Sequence, residues 1–150
     1  MKVSLKATYG IMAALDLALQ NGAVPVQSKA IARRQAIPLR FLEQVLHGMK
    51  KAGIVDSVRG ALGGYTLNRK PADVSLAEIV EALDGPLSPG TSRGSAARRL
   101  RGQLKPDALL ANVWERVHQA ELGVLGTVTL KELAERQQQL DQKRTLMYHI

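Results

Sequence analysis

The chain contains no cysteine, which excludes disulfide bonds, thiolate nucleophiles and any metal or cluster site that depends on cysteine ligands. Aromatic residues make up only 3% of the sequence, so a core would consist mainly of Leu, Val, Ile and Ala. No apolar run approaches the length of a membrane span, and the amino terminus lacks the apolar core of a signal peptide. We therefore expect a soluble cytoplasmic protein with no membrane partner.

Acidic residues are scarce relative to basic ones, at 13 against 21, which gives a formal net charge of +8. Such an excess favours a polyanionic partner, most often nucleic acid. Histidines are also few, and His47, His118 and His149 are too scattered to form a catalytic or metal-binding arrangement. The sequence therefore indicates neither an enzyme nor a cofactor.

Two helices joined by a tight turn are predicted in the first third of the chain. The first begins at Ser28, which can cap it, and runs to about Gln35. Ile37 precedes a proline and is pushed out of the helical region, whereas Pro38 suits the first position of the next helix, which ends near Lys51. Two helices connected by so few residues are typical of a helix-turn-helix.

The helix over residues 38–51 has an apolar and a polar face, each with helical spacing. The apolar residues are Leu42, Val45, Leu46 and Met49, and the polar ones are Arg40, Glu43, Gln44 and His47. In a helix-turn-helix, the amino-terminal residues of the second helix contact base edges in the major groove. Arg40 would then pair with guanine, Gln44 with adenine and Glu43 with cytosine. An ordinary solvated helix face is the alternative.

Glycines and strand-forming residues follow this helix between Ile54 and Arg69. The glycines are Gly60, Gly63 and Gly64, and the flanking residues are Val55, Val58, Tyr65 and Leu67. Because glycine has no side chain, we expect these three to let backbone N–H groups approach phosphates closely. We interpret this segment as a β-hairpin wing whose tip brings Arg59 into the minor groove or against phosphates. A solvent-exposed hairpin with an incidental arginine is the alternative, and the preceding helix pair favours the wing.

A first helix is predicted from Thr8 to Gln20. Because free N–H groups at a helix amino terminus bind anions, Ser4, Lys6 and Tyr9 are candidate phosphate contacts. For Tyr9, packing in the core is an equally good interpretation. A capping box at Ser75 opens a further helix to about Leu83.

Residues 86–105 contain five basic and no acidic residues, and we expect a flexible basic loop. A helix is then predicted from Pro106 to about Leu122, ended by Gly123 and Gly126. Its apolar stripe suits dimerisation, because paired half-sites need two recognition helices one turn of DNA apart. Packing within the same subunit is the alternative. The stripe consists of Leu109, Leu110, Val113, Trp114 and Val117. A second capping box, at Thr129, begins a last helix to about Leu140.

Several segments, taken together, resemble a known family. They are Phe41-Leu42-Glu43-Gln44-Val45-Leu46, Ala52-Gly53-Ile54-Val55, Ser57-Val58-Arg59-Gly60, Gly63-Gly64-Tyr65 and Glu81-Ala82-Leu83-Asp84-Gly85. They resemble the Rrf2 family of bacterial winged-helix transcription regulators, whose members include iron–sulfur, nitric-oxide and cysteine-metabolism regulators. The resemblance is dense over residues 1–85 and looser through the Trp114 helix.

The resemblance implies a mainly α fold with a small β-hairpin wing. Residues 1–85 would form a winged helix-turn-helix DNA-binding domain, and residues 86–105 the flexible basic loop. Residues 106–150 would form a long dimerisation helix and a C-terminal helix. It implies a homodimeric repressor on palindromic, double-stranded promoter DNA, with helix 38–51 in the major groove and wing 59–65 in the minor groove. The candidate DNA contacts are Ser4, Lys6, Tyr9, Ser28, Pro38, Leu39, Arg40, Glu43, Gln44, His47, Arg59, Gly60, Gly63, Gly64 and Tyr65.

Cluster-binding members of that family carry three cysteines in the loop before the dimerisation helix, and this chain has none. We therefore expect no iron–sulfur cluster, so the signal would come from an effector ligand or a partner protein. Two alternatives without specific DNA binding stay open: a winged-helix protein-interaction module and a small-molecule sensor.

Overall fold

The computed structural model describes residues 3–20, 24–87 and 106–149. Within these ranges the chain forms six α-helices and one two-stranded antiparallel sheet, which confirms the predicted mainly α fold with a small hairpin. The helices are α1 (Leu5–Leu19), α2 (Ser28–Gln35), α3 (Leu39–Lys51), α4 (Leu76–Asp84), α5 (Pro106–Thr127) and α6 (Leu130–Tyr148), the strands are β1 (Val55–Val58) and β2 (Gly64–Leu67), and a 3-10 turn covers Pro71–Asp73. The predicted basic loop lies, from residue 88 onward, outside the described residues.

The core forms where α1, α3 and α4 pack together, and the predicted apolar stripe of α3 lies at its centre. Leu42, Val45, Leu46 and Met49 are all fully buried. Burying such a stripe removes apolar surface from water and fixes which face of α3 is left for solvent. That remaining face carries the predicted polar residues.

Helix α1 begins earlier than predicted, at Leu5 rather than Thr8, because the Ser4 side chain accepts a hydrogen bond from the Ala7 N–H and caps it. Its buried face consists largely of small residues, including Ala13 and Ala14. Gly10 lies so close to α4 that an added Cβ would stand 2.2 Å from Leu83 Cδ1. Small residues therefore bring α1 against α4.

The ends of α2 and α3 differ in detail from the prediction. Gln27 occupies the cap position of α2 without a side-chain hydrogen bond, and Ser28 is the first helical residue, so the predicted Ser28 cap is wrong. Pro38 is likewise the cap of α3 rather than its first residue. Between the helices Ala36 adopts a left-handed φ of 53°, which turns the chain sharply.

Gly53 ends α3, as predicted, with a positive φ of 76°. The N–H groups of Gly53 and Ile54 donate to the carbonyls of Lys50 and Met49, each at 3.0 Å. This is the Schellman arrangement, in which a left-handed residue satisfies the last carbonyls of a helix. It directs the chain straight into β1.

Helices α5 and α6 are both longer than predicted. Gly123 and Gly126 do not end α5, which continues to Thr127, and α6 extends beyond Leu140 to Tyr148. The beginning of α6 is part of the core, since Leu130 is fully buried and its N–H donates to the Val74 carbonyl at 3.0 Å. None of the described helices is long and apolar enough to cross a membrane.

Both predicted capping boxes form only in part. Ser75 and Thr129 each accept a hydrogen bond at 3.3 Å from the N–H three residues on. The glutamates of the two boxes bind arginines instead: Glu78 pairs with Arg69 at 2.8 Å, and Glu132 pairs with Arg136. The serine and threonine caps are confirmed, and the reciprocal half of each box is replaced by an ion pair.

Candidate nucleic-acid interface

The solvent-facing side of α3 carries the residues predicted to contact bases. Arg40, Glu43, Gln44 and His47 are exposed along one face, opposite the buried stripe. At the amino end of the helix, Pro38 is exposed and Leu39 is half-buried. The face therefore presents donors and acceptors of the kinds that recognise base edges.

Phe41 belongs to the same surface, although the sequence analysis did not select it as a contact. It is the only phenylalanine in the chain, yet 54% of it is exposed in the first turn of α3. Aromatic side chains bury well in cores, and this one lies instead at the surface, next in sequence to Arg40. An apolar side chain at this place suits the methyl group of thymine.

Helix α2, the first helix of the motif, is fixed to α1 by a buried carboxylate. Asp16 accepts hydrogen bonds from Arg34 Nε at 3.0 Å, Arg34 Nη2 at 2.7 Å and Gln35 Nε2 at 2.9 Å. The hydrogen bond to Asp16 raises the pKa of the Arg34 guanidinium, so the arginine stays charged. This pair sets the position of α2, against which α3 packs.

The wing is a regular antiparallel hairpin. Val55 pairs with Leu67 at its base, and Val58 pairs with Gly64 at its outer end. Beyond that pair, the Gly63 N–H donates to the Gly60 carbonyl at 3.0 Å and closes the tip. A Cβ at Gly63 would stand 2.1 Å from the Val58 carbonyl oxygen, so glycine is required there.

Gly64 allows the wing to pack against the segment before α2. The Tyr65 N–H donates to the Val26 carbonyl at 2.8 Å, and the Val26 N–H donates to the Tyr65 carbonyl at 2.9 Å. A Cβ at Gly64 would stand 2.4 Å from the same Val26 oxygen, and its φ of 149° disfavours other residues. The close backbone approach predicted for Gly63 and Gly64 is thus made within the protein.

The tip itself projects into solvent. Arg59, Gly60, Ala61 and Leu62 are all exposed, whereas Tyr65 is half-buried against the core. On the side nearer α3, Lys50 Nζ donates to Ser57 Oγ at 2.6 Å. The last turn of α3 and the first strand of the hairpin are therefore connected by a side-chain hydrogen bond.

The amino end of α1 already holds an anionic group. The Ser4 hydroxyl and backbone N–H both donate to the carboxylate of Asp84 in α4. Lys6 is exposed on the same helix end, while Tyr9 is half-buried against the core, as its packing interpretation predicts. Ser4 and Tyr9 thus make contacts within the protein, and Lys6 is exposed to solvent.

The apolar stripe of α5 is uncovered in this protomer. Trp114 is 64% exposed and Leu109 78% exposed, and Leu110, Val113 and Val117 are exposed as well. An apolar groove lined by Val3, Val117, Ala120, Val124 and Leu125 continues along the same helix. The five side chains of the stripe stay exposed among the described residues, whereas Leu125 of the groove is half-buried against the core. The stripe is therefore the surface of α5 that is available to a partner.

Comparison with known proteins identifies the family to which this arrangement belongs. Residues 3–136 match a family described as Rrf2, iron-dependent transcriptional regulator. The chain belongs to the Rrf2 family. The resemblance seen in its motifs is thereby confirmed over most of its length.

Two named transcriptional regulators of the Rrf2 family are similar to this chain over most of its length. CymR, an HTH-type transcriptional regulator of Bacillus subtilis, is 33% identical over 134 residues, which are 89% of this chain and 90% of CymR. IscR of Escherichia coli is 33% identical over 141 residues, which are 94% of this chain and 85% of IscR.

Solved structures give the same result for the Rrf2 fold. The structure of CymR, the global cysteine regulator of B. subtilis, matches with a TM-score of 0.76 at 31% identity, covering 91% of this chain and 98% of CymR. IscR of T. potens matches with a TM-score of 0.69 at 37% identity, covering 91% of this chain and 88% of the IscR chain. The chain is therefore a winged-helix, DNA-binding transcription regulator and not an enzyme, as its sequence predicts.

The Rrf2 family is described as iron-dependent, which raises the question of whether the side chains of this chain could hold iron. Iron–sulfur clusters in proteins are held by cysteine thiolates, and the chain has no cysteine. Among residues 3–20, 24–87 and 106–149, no group of three or more His, Cys, Asp or Glu could hold a metal ion. The residues present do not fit a cysteine-ligated cluster.

Proposed function

We propose that this Rrf2-family chain is a homodimeric repressor that binds a palindromic promoter site. Helix α3 lies in the major groove, with Arg40, Glu43, Gln44 and His47 at base edges, and Arg59 on the wing enters the minor groove. The observation that carries this proposal is the exposed polar face of α3, linked through Lys50 and Ser57 to a hairpin whose tip carries Arg59.

Contacts to phosphates supply most of the affinity of such a complex and fix its register. Lys6 on α1, Ser28 on α2 and the backbone of Gly60 at the wing tip are the contacts we propose for this role. Lys6 and Gly60 are exposed and Ser28 is half-buried at the beginning of its helix. The net charge of +8 favours the same polyanionic partner.

The stripe on α5 supports dimerisation. Five apolar side chains recur at helical spacing and remain exposed, and burying them against a second copy would remove their apolar surface from water. A two-fold dimer presents two copies of α3, which is what an inverted repeat requires. In this proposal residues 1–85 bind DNA and residues 106–150 carry the dimer contact, although Leu130 ties α6 into the core of the first part.

Control by an iron–sulfur cluster is not part of the proposal, since the donor set does not fit one. The signal is instead an effector ligand or a partner protein. Such a signal acts by binding one arrangement of the two DNA-binding domains more tightly than the other.

Selection of bound sequences from random duplex DNA by the purified protein tests the proposal. An inverted repeat with half-site centres about 10 base pairs, or a multiple of this distance, apart is expected. Enrichment of a single, unrepeated site would contradict the dimer, and no enrichment at any salt concentration would contradict sequence-specific binding. The affinity for the selected site should fall as salt rises, because bound phosphates release counterions.

A further inference from the structure

The tip of the wing carries a large aliphatic side chain that no apolar surface of the described residues covers. Leu62 is 91% exposed, more than any other large apolar residue in the described part of the chain. Its neighbours in the turn are Gly60, Ala61 and Gly63, which offer little to pack against. A single exposed leucine is common on protein surfaces, so its exposure needs a second argument from its position.

The backbone around Leu62 is fixed, and it does not require leucine. The bond from the Gly63 N–H to the Gly60 carbonyl closes a turn with Ala61 and Leu62 at its centre. Neither central residue has a positive φ. Behind the turn, the hairpin is held to Val26 by two backbone hydrogen bonds. The wing thus presents Leu62 at the end of a hydrogen-bonded hairpin, and its backbone conformation does not select leucine at position 62.

We propose that Leu62 is an apolar wedge that enters the minor groove beside Arg59 and partly unstacks one base step. Proteins that bind the minor groove insert such side chains between base pairs and bend the duplex. Arg59 would meet the negative potential of the minor groove beside the wedge, and pyrimidine–purine steps are the ones that unstack most easily. Leu62 would thereby favour flexible base steps at the edges of the site, outside the base pairs that α3 contacts. This inference rests on the proposed DNA binding.

The test uses the duplex selected from random DNA, with 2-aminopurine replacing adenine at one position at a time outside the α3 half-sites. Binding of the wild-type protein should raise 2-aminopurine fluorescence at one step in each flank. Leu62→Ala should abolish this rise and weaken binding roughly tenfold, through lost apolar burial. Leu62→Met should retain both the fluorescence rise and the affinity, because it keeps a long apolar side chain. Leu146→Ala, which removes an exposed leucine from α6, is the matched control and should change neither.

Two results would overturn the wedge while leaving the proposed function intact. The first is tight wild-type binding with no fluorescence rise at any flanking position. The second is a Leu62→Ala protein that binds and unstacks the duplex as the wild type does. If the wild-type protein selects no sequence, the proposed function fails and the wedge fails with it, so the two failures are distinguished.

Discussion

Replacing Arg34 with alanine should destabilise the fold substantially, because it leaves the buried carboxylate of Asp16 without its charged partner. The side chain of Asp16 is only 3% exposed and accepts three hydrogen bonds, two of them from Arg34. Removing one member of a buried ion pair typically costs about 3–5 kcal/mol. The Arg34 side chain is 41% exposed, so water can reach part of the vacated position, and we expect a loss of about 2–4 kcal/mol.

Urea unfolding measures this loss as a lower midpoint at an unchanged slope. Arg33→Ala is the matched control: it removes a neighbouring exposed arginine of α2 for which the described residues show no ion pair, and it should change stability by less than about 0.5 kcal/mol. In a double-mutant cycle with Asp16→Asn, the two losses should not add, since the residues act as one unit. A loss below about 1 kcal/mol for Arg34→Ala, or additive losses in the cycle, would refute this reasoning.

Three further substitutions test the wing, the recognition helix and the dimer. Gly64→Ala places a Cβ against the Val26 carbonyl and should destabilise the protein by about 1–3 kcal/mol in urea unfolding, more than Gly60→Ala, which is strained but meets no neighbour. Gln44→Ala should weaken binding to the selected DNA by about 1–3 kcal/mol and relax selectivity at one position in a repeated selection; unchanged selectivity would argue against base contact. Trp114→Glu should weaken the dimer by roughly 2 kcal/mol or more and shift sedimentation towards the monomer, and an unshifted dimer would contradict the α5 interface.

The features that could be predicted from sequence are those with a strong local signal. The apolar and polar faces of α3 follow from residues such as Leu42 and Arg40 at helical spacing, and burial in the structure confirms both faces. The wing follows from closely spaced glycines between strand-forming residues, and its strands lie within the predicted segment. In both cases the pattern and the surrounding fold favour the same conformation.

The features that sequence reasoning missed depend on contacts between distant segments. Gly123 and Gly126 predict a helix end, but Leu122 and Leu125 pack against a core cluster containing Val80, and this burial outweighs the glycines' unfavourable helix propensity. Asp16 resembles a solvated residue until α2 brings Arg34 beside it, 18 positions later in the chain. No local periodicity reports such a pair.

The reasons for the wing glycines also became clear only from the structure. Gly63 and Gly64 were expected to let the backbone approach phosphates. Within the protein, the Val58 and Val26 carbonyls approach them so closely that a Cβ would clash. Contact of these glycines with phosphate stays a prediction, and Arg59 is the charged residue of the exposed tip.

The affinity of the Arg59→Ala protein for the selected duplex, measured by gel shift at a fixed salt concentration, tests the central claim most directly. Loss of a minor-groove arginine should weaken binding by about 1–3 kcal/mol, while the far-UV circular dichroism of the protein stays unchanged. Arg144→Ala, an exposed arginine on α6, controls for the simple loss of one positive charge and should leave the affinity nearly unchanged. If Arg59→Ala binds as tightly as the wild type, or if both variants lose affinity equally, the wing does not enter the groove as proposed.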